Sequence, residues 1–289
     1  MSEDEYKTIT EKFRYVMINT FQMFRCVCRI SQYRKLLWWI HEPSEFYINI
    51  INSETIEILN NINYTNVVVK AVSGIAKDNF IKNVRNIENS YLQYGIPDVC
   101  SEIFGKSEND PIVIGVIGTV YERKGQDILL EALELLNAYE MNSIKVLIIG
   151  NIVNNRFCNE IRKRAEMLVN VEIMGLLNRQ QIDEIEARID VFAVPSREDP
   201  LPISVTEGLM HGKICLVSSN TGFSDIIKSF QNGLIFESEN KYDLADKIRW
   251  ILHNKDRLKS IGESGRKLYD AIFSMNVFED NLLRTLESI

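Results

Sequence analysis

Val191-Phe-Ala-Val-Pro-Ser-Arg-Glu-Asp-Pro-Leu-Pro-Ile-Ser-Val-Thr-Glu-Gly-Leu-Met-His-Gly212 is the stretch on which the fold turns. It opens with four apolar residues and no polar alternation, the pattern of a strand buried on both faces. A polar loop follows, then a short helix. Pro202 suits the first turn, where an amide hydrogen is not needed, and Gly212 suits the left-handed residue that ends a helix. A strand, loop and helix in this order aim the helix N-terminus at the carboxyl end of a sheet. In open α/β sheets ligands bind at that edge, and the free amides of a helix start attract anions.

The same strand signature recurs on either side of this stretch. Apolar, β-branched runs occur at Tyr15–Ile18, Leu36–Ile40, Asn66–Val69, Ile112–Ile117, Lys145–Ile149, Val171–Met174, Ile214–Val217 and Gly233–Phe236. Amphipathic, helix-period segments separate them, among them Gln126–Leu136, Asn159–Leu168, Arg179–Arg188 and Lys241–His253. Strand and helix alternating at this spacing predict an α/β, doubly wound architecture with parallel sheets. The polar run from Gly105 to Pro111 predicts a boundary: a first domain over 1–110, a complete second domain over 111–275, and a last helix over 276–289 that returns to the first. The first segment, with about three strands, reads as an incomplete domain. Its leader is ambiguous, because Phe13, Val16, Met17, Phe21 and Phe24 also recur at roughly helical spacing.

The chain has 289 residues, 45% of them hydrophobic and 25% charged, enough for a substantial core without disulfides or metal. A net charge of −7 argues against nucleic acid as the main partner. Positive charge is nevertheless concentrated in Lys12, Arg14, Arg25, Arg29, Arg34 and Lys35, which read either as a solvated helix face or as a peripheral contact to anionic lipid. Cys26, Cys28, Cys100, Cys158 and Cys215 lack zinc-type spacing and predict reduced, mostly buried thiols. The acidic start Met1-Ser2-Glu3-Asp4-Glu5 is no signal peptide, and Leu36–Ile40 is far too short to span a bilayer. The expectation is a cytoplasmic protein, at the inner face of the membrane if the basic cluster meets lipid.

Two stretches carry candidate chemistry. Asp199 and Glu207 lie eight positions apart, at the edge of the loop and inside the helix. Carboxylates beside a phosphate-attracting helix start make sense as acceptors from sugar or ribose hydroxyls. The plainer alternative is that Glu198 and Asp199 only cap the helix and Glu207 is solvated. The second stretch is the strand Ile112–Ile117, followed by Gly118, Thr119 and the basic pair Arg123-Lys124 before a helix at Gln126. Gly118 lets the backbone approach a ligand, and a lysine there can neutralise a diphosphate; an exposed basic turn is the alternative. Neither a Walker loop nor a Gly-x-Gly-x-x-Gly turn is present.

Gly118 with Lys124-Gly125, then Ile148-Ile-Gly150, Met174-Gly175, Pro195–Pro202 with Glu207-Gly208, Gly212-Lys213 and Asn232-Gly233-Leu234 together resemble the C-terminal domain of a known family. It is the retaining, GT-B-fold "glycosyl transferases group 1" family (family 4), and the likeness runs from Ile112 to about Asp270. The resemblance implies that the chain moves a hexose from a nucleoside diphosphate, most simply UDP, to a hydroxyl acceptor. It implies no separate cofactor and no metal, an Asp-x-Asp motif being absent. It places Asp199, or Glu198, near the sugar, Glu207 on the ribose, and Lys124 on the diphosphate. Gly118, Thr119, Arg123, Gly175, Pro200, Leu201, Pro202 and Ile203 would line the donor. Thr119 stands where the family's arginine is usual, so Arg123 would have to substitute. Gly208 replaces a commoner alanine, which weakens the helix slightly.

Upstream, Trp38-Trp-Ile-His-Glu-Pro43 resembles the strand and loop bearing the family's active-site histidine, which makes His41 the candidate facing the sugar from the acceptor side. Packing beside Trp38 and Trp39 is its structural alternative. Val67–Gly74 and Tyr94–Asp98 resemble later parts of the same N-terminal domain. The family's opening strands have no counterpart, so the first domain is expected to be shortened. The resemblance implies a glycan, a lipid-linked or a protein acceptor. A shortened first domain would suit a nucleotide-sugar-binding subunit or a decayed homologue, leaning on a partner or self-association for the acceptor half.

Overall fold

The apolar runs fold as parallel strands in a computed structural model that describes residues 3–87, 91–99 and 110–289. They belong to two compact units, Met1–Gly95 with Met275–Ile289, and Ile96–Ser274.

The first unit runs α1 (Glu3–Thr10), β1 (Met17–Ile18), α2 (Phe24–Ser31), β2 (Leu36–Ile40), α3 (Ser44–Ile50), α4 (Ser53–Asn60), β3 (Val67–Ala71) and α5 (Gly74–Asn83). Its sheet has the order β1-β2-β3, with Trp38 of β2 opposite Ile18 and Val69. All five residues of β2 are buried, as an apolar run without alternation requires. Trp38 stacks on Phe21 at 5.5 Å and meets the edge of Phe80, whereas Trp39 stacks on Phe278 from the last helix of the chain. The tryptophan pair is therefore core.

The leader folds as neither a four-residue strand nor a helix through Phe24. Phe13 is 60% exposed, Met17 is 38% exposed, and the strand keeps only Met17 and Ile18. The cause is Glu42, whose carboxylate accepts from Thr20 Oγ1 at 2.6 Å and from the Phe21 amide at 2.7 Å. Those bonds hold a tight turn at Phe21–Met23 in place of a continuous helix. Part of the basic cluster is spent internally. Arg34 donates to the carbonyls of Thr10, Phe13 and Arg14, Arg25 pairs with Glu54, and Arg29 lies over the Tyr6 ring.

The second unit runs β4 (Ile112–Ile117), α6 (Gln126–Leu133), α7 (Ala138–Asn142), β5 (Ile144–Ile149), α8 (Arg156–Met167), β6 (Val171–Gly175), α9 (Arg179–Glu186), β7 (Val191–Val194), α10 (Ile203–Met210), β8 (Ile214–Ser218), β9 (Leu234–Phe236), α11 (Lys241–His253) and α12 (Lys255–Ile272). The last helix, α13 (Met275–Glu287), belongs to the first unit. The six strands take the order β6-β5-β4-β7-β8-β9, the doubly wound arrangement in which strand order reverses between the first and fourth strands. Ile114, Val146, Val191 and Leu216 from four adjacent strands sit in one buried cluster with Leu129 and Leu133 of α6 and Leu244 and Ile248 of α11.

The units divide at Gly95 and Ile96, earlier than the polar run at 105–111, most of which lies outside the described residues. Ile96 is held in the second unit because its amide donates to the Phe273 carbonyl and its carbonyl accepts from the Tyr269 hydroxyl. Cys158 and Cys215 are buried and Cys26 and Cys28 half-buried, all four as free thiols; Cys100 lies outside the described residues. Among the described residues no helix is long and apolar enough to cross a membrane.

Candidate functional site

The switch point lies between β4 and β7, which pair directly through Ile114–Val191 and Gly115–Phe192. The loops leaving these two strands lie at the carboxyl edge of the sheet, where ligands of open α/β sheets bind. Beside them the backbone packs closely. The Gly118 amide donates to Ile149 and the Gly150 amide to Gly175, and a Cβ on Gly150 would stand 2.1 Å from the Gly118 carbonyl oxygen. Gly150 therefore has to be glycine, both for space and for its φ of +147°. Gly175 faces open space, and Thr119 is exposed while its carbonyl accepts from buried Gln126.

Two stretches distant in sequence meet at this edge. Lys124 Nζ donates to Asp199 Oδ2 at 2.5 Å. Arg123 Nη1 donates to the Glu198 carbonyl at 2.7 Å and lies 3.9 Å from Asp199 Oδ2. Asp199 is only 6% exposed, so Lys124 holds a carboxylate that water barely reaches. It is Asp199 whose side chain pairs with the lysine, whereas Glu198 presents its backbone carbonyl to Arg123. Arg197, to which sequence reasoning gave no role, ties the loops together. It forks onto Asp127 at 2.9 and 2.6 Å and donates to the Glu122 carbonyl at 2.6 Å.

Pro200 and Leu201 are buried, and Pro202 stands one position before α10, as its N-cap. Proline has no side-chain acceptor, so the N-cap residue's own side chain caps none of the first amides of α10. Ile203, the first helical residue, is 55% exposed. Gly212 ends the helix at a φ of +61°, the left-handed conformation expected of it. Gly208 is required by packing: a Cβ there would stand 2.8 Å from Phe192 Cγ and 2.9 Å from Cys215 Sγ.

Glu207 is buried rather than solvated. Arg179 Nη1, from the first residue of α9, donates to its Oε1 at 2.6 Å. Burial, then the neighbouring Glu186 carboxyl, push the Glu207 carboxyl up to about 7, against the pull of Arg179. Glu186 is fully buried, with Oε2 3.6 Å from Arg179 Nη2 and 3.4 Å from His211 Nε2. Sequence reasoning assigned nothing to Arg179 or Glu186 and read His211 as structural. The available signal was positional, since Arg179 opens the helix after β6 at the same carboxyl edge.

His41 belongs to the first unit, directly after β2. Its ring packs edge-on against Trp39 at 4.4 Å, and Nε2 is buried with no hydrogen-bond partner among the described residues. Burial lowers its imidazole to about 4, so it is neutral near pH 7. Glu42 shapes the loop by accepting from the His41 amide at 2.9 Å.

The "glycosyl transferases group 1" family model matches residues 101–268. An uncharacterized glycosyltransferase of Methanocaldococcus jannaschii is 26% identical over 157 residues, covering 52% of this chain and 41% of the relative. The N,N'-diacetylbacillosaminyl-diphospho-undecaprenol alpha-1,3-N-acetylgalactosaminyltransferase of Campylobacter jejuni is 24% identical over 192 residues, covering 65% and 48%. The chain thus spans less than half the length of these curated relatives. Anabaena HepE, solved with UDP and glucose, superposes with a TM-score of 0.81 over 99% of this chain and 81% of its own, at 16% identity. At that identity the likeness is one of fold, and the fold is that of GT-B glycosyltransferases.

Proposed function

The chain belongs to the glycosyl transferases group 1 family, and from that premise we propose that it moves a hexose from a UDP-sugar to a hydroxyl acceptor, with retention at the anomeric carbon. The observation that carries the reading is the meeting of Lys124 and Asp199 at the switch point, beside the start of α10, whose N-cap proline offers no side-chain acceptor. Lys124 has three donors and can keep Asp199 while it takes a phosphate oxygen. Asp199 thereby orients the ammonium before the diphosphate arrives, which lowers the cost of organising the site. As the sugar–phosphate bond breaks, charge grows on the diphosphate; Lys124, Arg123 and the amides of α10 are the donors disposed to stabilise it. An aspartate already paired with a lysine is a poor nucleophile, which favours attack by the acceptor on the face the diphosphate leaves. The departing phosphate oxygen would take the acceptor's proton.

In this reading Glu207 accepts from the ribose hydroxyls, and Gly118, Thr119 and Gly175 let the donor approach the backbone. His41 serves as a neutral hydrogen-bonding group for a sugar hydroxyl. HepE holds UDP and glucose, and the Campylobacter relative's name gives a lipid-diphosphate acceptor. We extend to this chain a glycan or lipid-linked acceptor and a place at the cytoplasmic face of a membrane. Calorimetry with UDP, UDP-glucose, GDP and GDP-mannose tests the donor assignment. Binding of a uridine nucleotide is expected, and no binding by any of the four at millimolar concentration overturns the reading. The anomeric coupling of the product sugar, followed by NMR, tests retention.

A further inference from the structure

Behind Glu207 lies a set of buried charges that the reaction as described does not use. Glu186, the last residue of α9, is 0% exposed, and neither of its carboxylate oxygens has a hydrogen-bond partner among the described residues. His211, directly after α10, is 4% exposed, and its Nε2 is likewise without a hydrogen bond while standing 3.4 Å from Glu186 Oε2. Arg179 bridges the group: Nη1 to Glu207 at 2.6 Å, Nη2 to Glu186 at 3.6 Å and Nε to Asp183 at 2.8 Å. Two buried carboxyls and one half-exposed carboxylate thus share one guanidinium and one imidazole.

A buried acid is costly unless fully paired, and apolar side chains would fill the same space at no such cost. Surrounding elements offer Glu186 little further relief. On the sheet side, Gly208 of α10 lies against uncharged Phe192 and Cys215. From α12, Arg266 is engaged with Asp98, Asp270 and the Met210 carbonyl, while Lys259, Glu263 and Lys267 line a cavity of about 790 Å³ next to His211. Lys213 Nζ reaches the Ala187 carbonyl at 3.5 Å. The charge of Glu186 acts on the Glu207 carboxyl of α10.

We propose that Glu186 and His211 are positioning residues for Glu207, a buried carboxyl–imidazole pair that makes the ribose contact proton-linked: binding the ribose diol expels a proton from Glu207 to solvent. The proposal rests on the reading of Glu207 as the ribose acceptor. A carboxylate accepts hydrogens from both ribose hydroxyls with one oxygen for each, whereas a carboxylic acid has one oxygen weakened as an acceptor by its own proton. In the empty site the charge of Glu186 favours the acid form of Glu207. Arg179 and His211 are the two groups that stand beside the Glu186 carboxylate. The ribose favours the carboxylate form, so donor affinity falls as pH drops and the proton must be removed first.

The test uses UDP-glucose, whose diphosphate does not titrate near neutrality, with GDP-mannose as the second probe. Calorimetry of the whole chain from pH 5 to pH 8 should show affinity falling by up to about tenfold per pH unit below neutrality. In Glu186→Gln that fall should begin about one pH unit lower, because the neighbouring charge is gone. Superimposed profiles overturn the proposal and leave the donor reading standing. Absence of binding by either probe at every pH removes the donor reading, and the proposal with it. A measurement on the unaltered protein covers the case in which Glu186→Gln does not fold. Binding measured at pH 6.5 in buffers of different ionisation enthalpy should release a fraction of one proton, and zero release overturns the proposal.

Discussion

Lys124 and Asp199 stand 75 positions apart in the chain and 2.5 Å apart in the molecule. Each residue is ordinary on its own, a lysine in a turn and an acid before a helix. Their adjacency follows only once β4 and β7 are known to be neighbours, which is why the pair was legible as two separate candidates and not as one contact. Lys124→Ala is expected to weaken UDP binding by about 1.5–3 kcal/mol, the range for a charge-assisted hydrogen bond, and Glu207→Gln to weaken it less. Titration calorimetry checks both, and unchanged affinity in Lys124→Ala rejects the phosphate role. His41 predicts a stability effect of defined sign. Its folded-state imidazole titrates near 4 and its unfolded one near ~6.5, so the unfolded chain binds more protons across that window. Stability therefore falls as pH drops from about 6.5 to 4, by up to about 3 kcal/mol from this group. His41→Asn should flatten that limb in denaturant titrations at stepped pH; an identical slope would show that the ring is not held neutral by burial. Arg179, Glu186 and Arg197 escaped sequence reading for one shared reason. Each has a partner of opposite or complementary character on another element (Glu207 for Arg179, His211 for Glu186, Asp127 for Arg197), and a long-range polar contact leaves no periodicity in the chain.

Strands were the most legible elements, because a run buried on both faces writes itself as consecutive apolar residues. Leu36–Ile40 and Ile112–Ile117 keep their expected bounds. The leader was hardest to read because Glu42, a residue outside it, decides where it turns. Helix α10 shows the limit of propensity as a guide. Alanine favours a helix over glycine by about 1 kcal/mol, which makes Gly208 look like a small loss. Yet the added Cβ would fall 2.8 Å from the Phe192 ring on β7 and 2.9 Å from Cys215 on β8. Overpacking of this kind costs about 1–3 kcal/mol, so Gly208→Ala should destabilise the second unit despite its better helix former. Thermal unfolding reads the sign directly, and a raised melting temperature would mean that α10 can lift off the sheet at little cost.

At the scale of the molecule, the strand order predicts where the backbone opens last. β4, β5, β7 and β8 have a hydrogen-bonded strand on each side, whereas β1 is a two-residue edge. Amide exchange should be slowest in those four strands and at least tenfold faster in β1, a spread typical of core and edge segments. Equal protection in β1 and β4 would contradict the register described here. The division at Gly95 and again at Ser274 has a further consequence for synthesis. The first unit is made from two segments that flank the second, and Phe278, which stacks on Trp39 at 5.6 Å, is translated after the whole of the second unit. A nascent chain leaving the ribosome can finish its second unit while Trp39 still waits for its cover. A chain ended after Ser274 should keep the cooperative unfolding of the second unit but show red-shifted tryptophan emission from the first. The order of translation thus sets covering of Trp39 by α13 after completion of the second unit, and ties the folding of the first unit to a segment made later.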